Sequence, residues 1–192
     1  MRKISFLGIL FLFPVLLNSC VETKDLHENA EVTGAKEDYS KGIPFENVIS
    51  KEDLAQAVKY LASDELKGRQ TGTEGIEKAA EFIEDALKNS HIKPFFRTYR
   101  DSFEVGGMTG YNIVGLKEGT DSRLKNEIII IGAHYDHLGR ANTVGTDSLA
   151  NGANDNASGP AAVLELMKYF AGVDSKRSIL FSFFSAEELG LV

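Results

Sequence analysis

Ile128-Ile129-Ile130-Ile131-Gly132-Ala133-His134-Tyr135-Asp136-His137 is the stretch on which the fold turns. Four isoleucines in a row have neither the 3.6-residue spacing of an amphipathic helix nor the alternation of a half-exposed strand. Such a run fits a strand covered on both faces, as in a parallel α/β sheet. A second run, Ile179-Leu180-Phe181-Ser182-Phe183-Phe184, leads into Ser185-Ala186-Glu187-Glu188-Leu189-Gly190. Between the two runs, Ser158-Gly159-Pro160 opens a helix through about Phe170, since proline is tolerated in a first turn. Val163, Leu166, Met167 and Phe170 supply its buried stripe, while Ala161, Leu164, Glu165 and Lys168 mix faces. Strand, helix and strand at this spacing predict a right-handed crossover. The expected fold is a three-layer α/β/α sandwich around a mixed, mostly parallel central sheet.

Upstream, folded structure is expected from near Phe45. Ser50-x-x-Asp53 is a capping-box-like start, with Leu54, Ala57, Val58 and Leu61 on one helical face. After a Gly- and Thr-rich loop, Ile76, Ala79, Ala80, Ile83 and Leu87 predict a helix over about 74–89, with Thr73 as its cap. Strands follow over Phe95–Phe103 and Tyr111–Leu116, separated by Gly106-Gly107, and their aromatic residues read as core or sheet packing.

The polar residues gather where the strands stop. His134 and Asp136 follow the first run, Glu187 and Glu188 the second, and Gly152-Ala153-Asn154-Asp155-Asn156-Ala157-Ser158-Gly159 lies between. Open α/β sheets build their sites beyond the carboxyl ends of strands. Imidazole and carboxylate together suit a hard or borderline divalent ion, Zn²⁺ first among them. A hydrolytic two-ion site needs terminal ligands, a bridging carboxylate, and a nearby carboxylate that accepts a proton from water. His134 fits a terminal ligand, Asp155 the bridge, and Glu188 a ligand to the second ion. Glu187 fits the general base, and Asp136 the carboxylate that fixes the His134 tautomer. Each residue alone also has a plain structural reading. Asp155 could be a turn or cap, Glu187 and Glu188 first-turn acids, and His137 an ordinary hydrogen-bonded residue. It is the three clusters together that point to a metal.

The clusters carry a resemblance. GAHYDHLG at 132–139, NGANDNASG at 151–159 and SAEELGL at 185–191 resemble the dinuclear zinc aminopeptidases, a secreted bacterial family sharing its fold with glutaminyl cyclases and glutamate carboxypeptidases. LASDELKGRQTGTEG at 61–75 is similar to the lead-in segment of envelope members. Asn154 departs from the Asp that many relatives carry. The resemblance implies removal of an N-terminal residue from a peptide substrate with two Zn²⁺ and an activated water. It also implies one more Asp and one more His beyond Val192. Residues 46–192 are accordingly expected to be a zinc peptidase domain truncated at its C-terminal side, and inactive as written. A carboxypeptidase, a single-zinc glutaminyl cyclase and a non-catalytic lipid-anchored binding domain are the competing readings.

The amino terminus reads separately. Met1-Arg2-Lys3 and the apolar run Ile4–Leu17 make a signal peptide, too short to span a membrane. Leu17-Asn18-Ser19-Cys20 resembles a bacterial lipobox, so residues 1–19 are expected to be removed and Cys20, the single cysteine, to be lipidated. Polar residues 20–45 read as a flexible tether from a cell-envelope membrane, periplasmic or surface-exposed. Cleavage removes Arg2 and Lys3 and no acid, taking the formal charge from −7 to −9. That balance, without a basic patch, argues against nucleic acid as a partner. Membrane attachment would come from acyl chains rather than charge.

Overall fold

The computed structural model describes residues 49–190 except 145–146. Of the two units into which the chain divides, Met1–Lys41 lies outside the described residues, and the account below concerns Gly42–Val192. The expected signal peptide, the expected lipidation at Cys20 and the expected tether therefore fall outside the described residues.

Helix α1 (Lys51–Leu61) starts where Ser50 Oγ accepts the Asp53 amide at 3.0 Å. The reciprocal half of a capping box is not made. The Ser50 amide instead donates to Glu165 Oε2 at 3.2 Å, and Asp53 pairs with Lys168. Helix α2 (Glu74–Asn89) buries Ile76, Ala79, Ala80, Ile83 and Leu87, the stripe its periodicity predicts. Thr73 occupies the cap position, but its hydroxyl donates back to the Gln70 carbonyl at 2.6 Å and caps no helix amide.

Strand β1 (Lys93–Pro94) and β2 (Arg100–Val105) both pair antiparallel with β3 (Met108–Lys117). The expected strand from Phe95 to Phe103 is thus interrupted. Val114 accepts from the Phe95 amide and donates to the Tyr99 carbonyl, so the residues between loop out from the sheet. Phe95 and Phe96 end up exposed rather than in the core. Gly106 and Gly107, both at positive φ, form the β2–β3 turn.

Strand β4 (Ile128–His134), the ribbon β5 (Arg140–Val144) and β6 (Asp147–Leu149), helix α3 (Ser158–Ala171) and strand β7 (Ser178–Phe184) complete the described elements. The main sheet runs β1-β3-β7-β4, with β2 also on β3. It is mixed, as expected, but among the described residues only β4–β7 is parallel. The three described helices share one core cluster with Ile113, Ile179, Phe181 and Phe183, and therefore cover a single face.

The two apolar runs have different fates. β7 lies between β3 and β4 and buries Ile179, Phe181 and Phe183, each worth about 1.5–3 kcal/mol in apolar transfer. β4 is last in the strand order, and Ile128, Ile129 and Ile130 are 48%, 47% and 64% exposed. A continuous apolar run reports β propensity, whereas cover depends on neighbours that the run does not contain. α3 also differs from expectation. Ala161, Leu164 and Glu165 are buried with Val163 and Met167, because α3 packs on α1 as well as on the sheet.

Gly75, in the first turn of α2, shows how tightly the 64–66 turn is applied. A Cβ there would lie 1.9 Å from the Leu66 carbonyl oxygen. Gly-to-Ala changes in helices usually stabilise by about 0.5–1 kcal/mol. Gly75→Ala is expected instead to destabilise by more than about 1 kcal/mol through overpacking. Urea unfolding tests this, and an unchanged midpoint would mean that turn and helix separate at no cost.

Candidate metal centre

The site begins with register. β4 and β7 run parallel with His134 opposite Phe184, so both strands end level at one edge of the sheet. Tyr135 donates its amide to the Phe184 carbonyl at 2.8 Å, extending the pairing one step beyond the strand. The residues that follow, Asp136-His137 and Glu187-Glu188, are thereby brought side by side. The third cluster arrives from the turn Ala153–Ala157 at the start of α3. Asn156 anchors it by donating to the His134 carbonyl at 3.2 Å and accepting the Gly159 amide at 3.1 Å. The Asp155–Asn156 peptide is cis.

All five residues singled out from the sequence meet here. His134 Nε2 lies 3.3 Å from Asp155 Oδ1 and 4.0 Å from Glu187 Oε2. Asp155 and Glu188, with His137, bring ligand atoms within 4.8 Å of one another. Asp155 thus has two imidazoles close by, those of His134 and His137. Adjacent Glu187 and Glu188 diverge, the first toward His134 and the second toward His137.

Asp136 is 1% exposed. Its Oδ1 lies 3.5 Å from His134 Nδ1, yet that buried nitrogen has no hydrogen-bond partner among the described residues. The hydrogen bonds of Asp136 go instead to backbone: Oδ1 accepts the Glu187 amide at 3.2 Å and Oδ2 the Glu188 amide at 3.3 Å. Burial raises the Asp136 pKa, opposed by those two amides and then by His134. Four carboxylates (Asp136, Asp155, Glu187, Glu188) therefore crowd two imidazoles. This donor set of nitrogen and oxygen, with excess negative charge, fits Zn²⁺.

Two contributors were not assigned from sequence. His137 has a plain reading by itself, but its Nδ1 is 2.6 Å from Glu188 Oε1. The other is Arg69, 1% exposed, in a run of positive-φ residues Lys67-Gly68-Arg69. Its guanidinium donates to the carbonyls of Tyr135 at 2.9 Å, Asn151 at 2.8 Å, Gly152 at 3.0 Å and Leu61. Its own carbonyl accepts the His137 amide at 3.1 Å. One side chain therefore ties α1, the segment after β4 and the segment before Asp155. Burial lowers the Arg69 pKa to about 10, with the charges of Asp136 and Asp155 acting the other way, so it stays a cation at neutral pH. The only sequence signal for it was the Gly-flanked 61–75 segment, and burial of an arginine there has no periodic signature.

Arg69→Met would leave those carbonyls without their donor in a buried setting. Stability is expected to fall by roughly 3–5 kcal/mol, with Arg69→Lys recovering only part because an ammonium cannot span all the acceptors. Denaturant unfolding of both variants checks this, and a loss below about 1 kcal/mol for Met would mean that water replaces the guanidinium.

Residues 112–192 match the model of Peptidase family M28. Leupeptin-inactivating enzyme 1 of Streptomyces exfoliatus is 32% identical over 152 residues, 78% of this chain and 30% of that one. Aminopeptidase YwaD of Bacillus subtilis is 36% identical over 84 residues, 44% of this chain and 16% of that one. A probable zinc metalloprotease of Pyrenophora teres f. teres is 30% identical over 162 residues, 75% and 34% respectively. The chain thus spans less than half the length of these relatives. Among solved structures, Legionella pneumophila LapA aminopeptidase superposes with TM-score 0.56 at 24% identity, covering 75% of this chain and 37% of that one. Porphyromonas gingivalis glutaminyl cyclase superposes with TM-score 0.58 at 19% identity, covering 73% and 49%. These two share the α/β fold with a mixed sheet. It is through residues 112–192, which carry His134, Asp155, Glu187 and Glu188, that the chain matches Peptidase family M28.

Proposed function

We propose that this chain is the metal-binding part of a zinc-dependent exopeptidase that removes the N-terminal residue of a peptide. The observation that carries the reading is that the Asp155 carboxylate lies within reach of both His134 and the Glu188–His137 pair. A carboxylate placed in this way is suited to serve two ions at once. His134, Asp155 and Glu188 would hold Zn²⁺, with two ions as the proposed count. Zinc, when bound, supplies Lewis acidity, polarising a carbonyl and lowering the pKa of water toward neutrality. Glu187 is proposed to take the proton from water and pass it on to the leaving amine, and its half-exposed carboxylate can reach both solvent and the His134 side. Asp136 fixes the backbone from which Glu187 and Glu188 project. The family and the zinc metalloprotease name of a relative support this reading.

With His134, Asp155 and Glu188 as ligands, the chain is expected to take up Zn²⁺ and to show measurable turnover of aminoacyl arylamides. Glu187→Gln should lower that turnover by roughly 100-fold or more while leaving zinc affinity near the parent's. Glu188→Gln should weaken zinc by roughly 10–100-fold, a size typical of lost support at a metal site. Equilibrium dialysis with metal analysis, beside the arylamide assay, tests the division. Equal zinc loss in both variants would overturn it, and no zinc uptake by the parent would overturn the metal reading.

The second reading is a single-zinc glutaminyl cyclase. One tight zinc, with cyclisation of N-terminal glutaminyl peptides in place of hydrolysis, would favour it over the peptidase.

The same protein is proposed to be lipid-anchored in a bacterial envelope through Cys20, on the strength of Leu17-Asn18-Ser19-Cys20. Cys20→Ala should then leave the membrane fraction or remain unprocessed. A variant that fractionates and migrates like the parent would refute the anchor.

A further inference from the structure

We propose that His137 is a positioning residue that orients the carboxylate of Glu188 by donating a hydrogen bond from Nδ1, leaving Oε2 for the metal. This rests on the reading of Glu188 as a ligand. The separation favours a hydrogen bond over shared coordination. Two donors on one zinc, each at about 2.0–2.1 Å in a tetrahedral shell, stand about 3.3 Å apart. His137 Nδ1 and Glu188 Oε1 are 2.6 Å apart, closer than one ion would allow and in the range of a short charge-assisted hydrogen bond.

His137 is held by a backbone hydrogen bond and by packing. Its amide donates to the Arg69 carbonyl at 3.1 Å. Its ring lies against Gly152, where a Cβ would come within 2.4 Å of Cδ2. Gly152 is also at φ 60°, so both backbone and space require glycine beside the imidazole. The ring cannot swing toward that wall, and Nδ1 is aimed at Glu188.

Consecutive residues thus grip Glu188 at both ends. Asp136 Oδ2 accepts its amide at 3.3 Å, and His137 Nδ1 binds its carboxylate. In extended chain, adjacent side chains point to opposite sides. Beyond the end of β4, however, both side chains reach the same turn, Asp136 binding its main-chain amides and His137 a side chain. Ligating carboxylates elsewhere depend on such outer hydrogen bonds for affinity.

The test uses the full 192-residue chain, made metal-free and titrated with Zn²⁺ against a chromophoric chelator. His137→Ala is expected to weaken zinc by roughly 10–100-fold. His137→Asn places an amide N–H near the Nδ1 position but is a poor zinc ligand, so it should recover most of the affinity. The Co²⁺-substituted His137→Asn chain should keep the parent's visible band, because the ligand set is unchanged. A second measurement needs no variant. In the histidine-¹⁵N-labelled parent loaded with ¹¹³Cd²⁺, His137 Nδ1 should carry a proton and show no coupling to cadmium.

Zinc binding by His137→Ala equal to the parent's would overturn this proposal alone. Cadmium coupling at His137 Nδ1, or equal losses in the Ala and Asn variants with a changed cobalt band, would make His137 a ligand and overturn it likewise. A parent chain that takes up no zinc would overturn the metal reading and this proposal with it.

Discussion

The parallel pairing of β4 with β7 is the constraint from which the site follows. Parallel neighbours end on the same side, and the register that sets His134 against Phe184 makes their ends level. Had the pair been antiparallel, the two acidic and imidazole clusters would sit at opposite edges of the sheet. Because a parallel pair cannot be closed by a hairpin, the chain must cross over. The crossover places α3 and its preceding turn over the same edge, which delivers Asp155. Topology thus gathers three sequence segments at one edge of the sheet.

Level strand ends bring segments near one another but do not fix them to the tenths of an ångström that coordination demands. That fixing is polar and buried. Arg69 ties the carbonyls behind His134 and Asp155 to α1, Asn156 ties the His134 carbonyl to the start of α3, and Asp136 ties the amides of the Glu187–Glu188 turn. Each of these groups bonds backbone rather than another charged side chain. The result is a rigid frame around carboxylates that repel one another, in which a buried arginine and a divalent ion are the natural compensating charges. Burying such a cation is tolerable only because its donors are met by carbonyls at hydrogen-bond distance.

Much of this was legible before any coordinates. Helix α2, the caps of Ser50 and the runs at 128–131 and 178–184 follow from periodicity and propensity, which are local properties. His134, Asp136, Asp155, Glu187 and Glu188 were legible because strand ends advertise themselves, and because imidazole and carboxylate clustered there have few other uses. Other features were not. The loop-out after Pro94 depends on how β3 accepts its neighbours. The exposure of Ile128–Ile130 depends on β4 being last in the strand order. Thr73 was expected to cap α2, but its hydroxyl found the Gln70 carbonyl, a competing local partner of equal reach.

The sequence by itself determined which segments are strands and helices, and which side chains could carry metal chemistry. Those properties belong to residues and their immediate spacing. Only the tertiary structure decided that His137 faces Glu188, that Arg69 lies beneath the site, and that Asp136 bonds amides of the Glu187–Glu188 turn. The partners are 51 residues apart for His137 and Glu188, and 66 to 83 apart for Arg69 and its carbonyls at Tyr135, Asn151 and Gly152. No local pattern encodes contacts over such separations, because they exist only once the sheet register has aligned the strand ends.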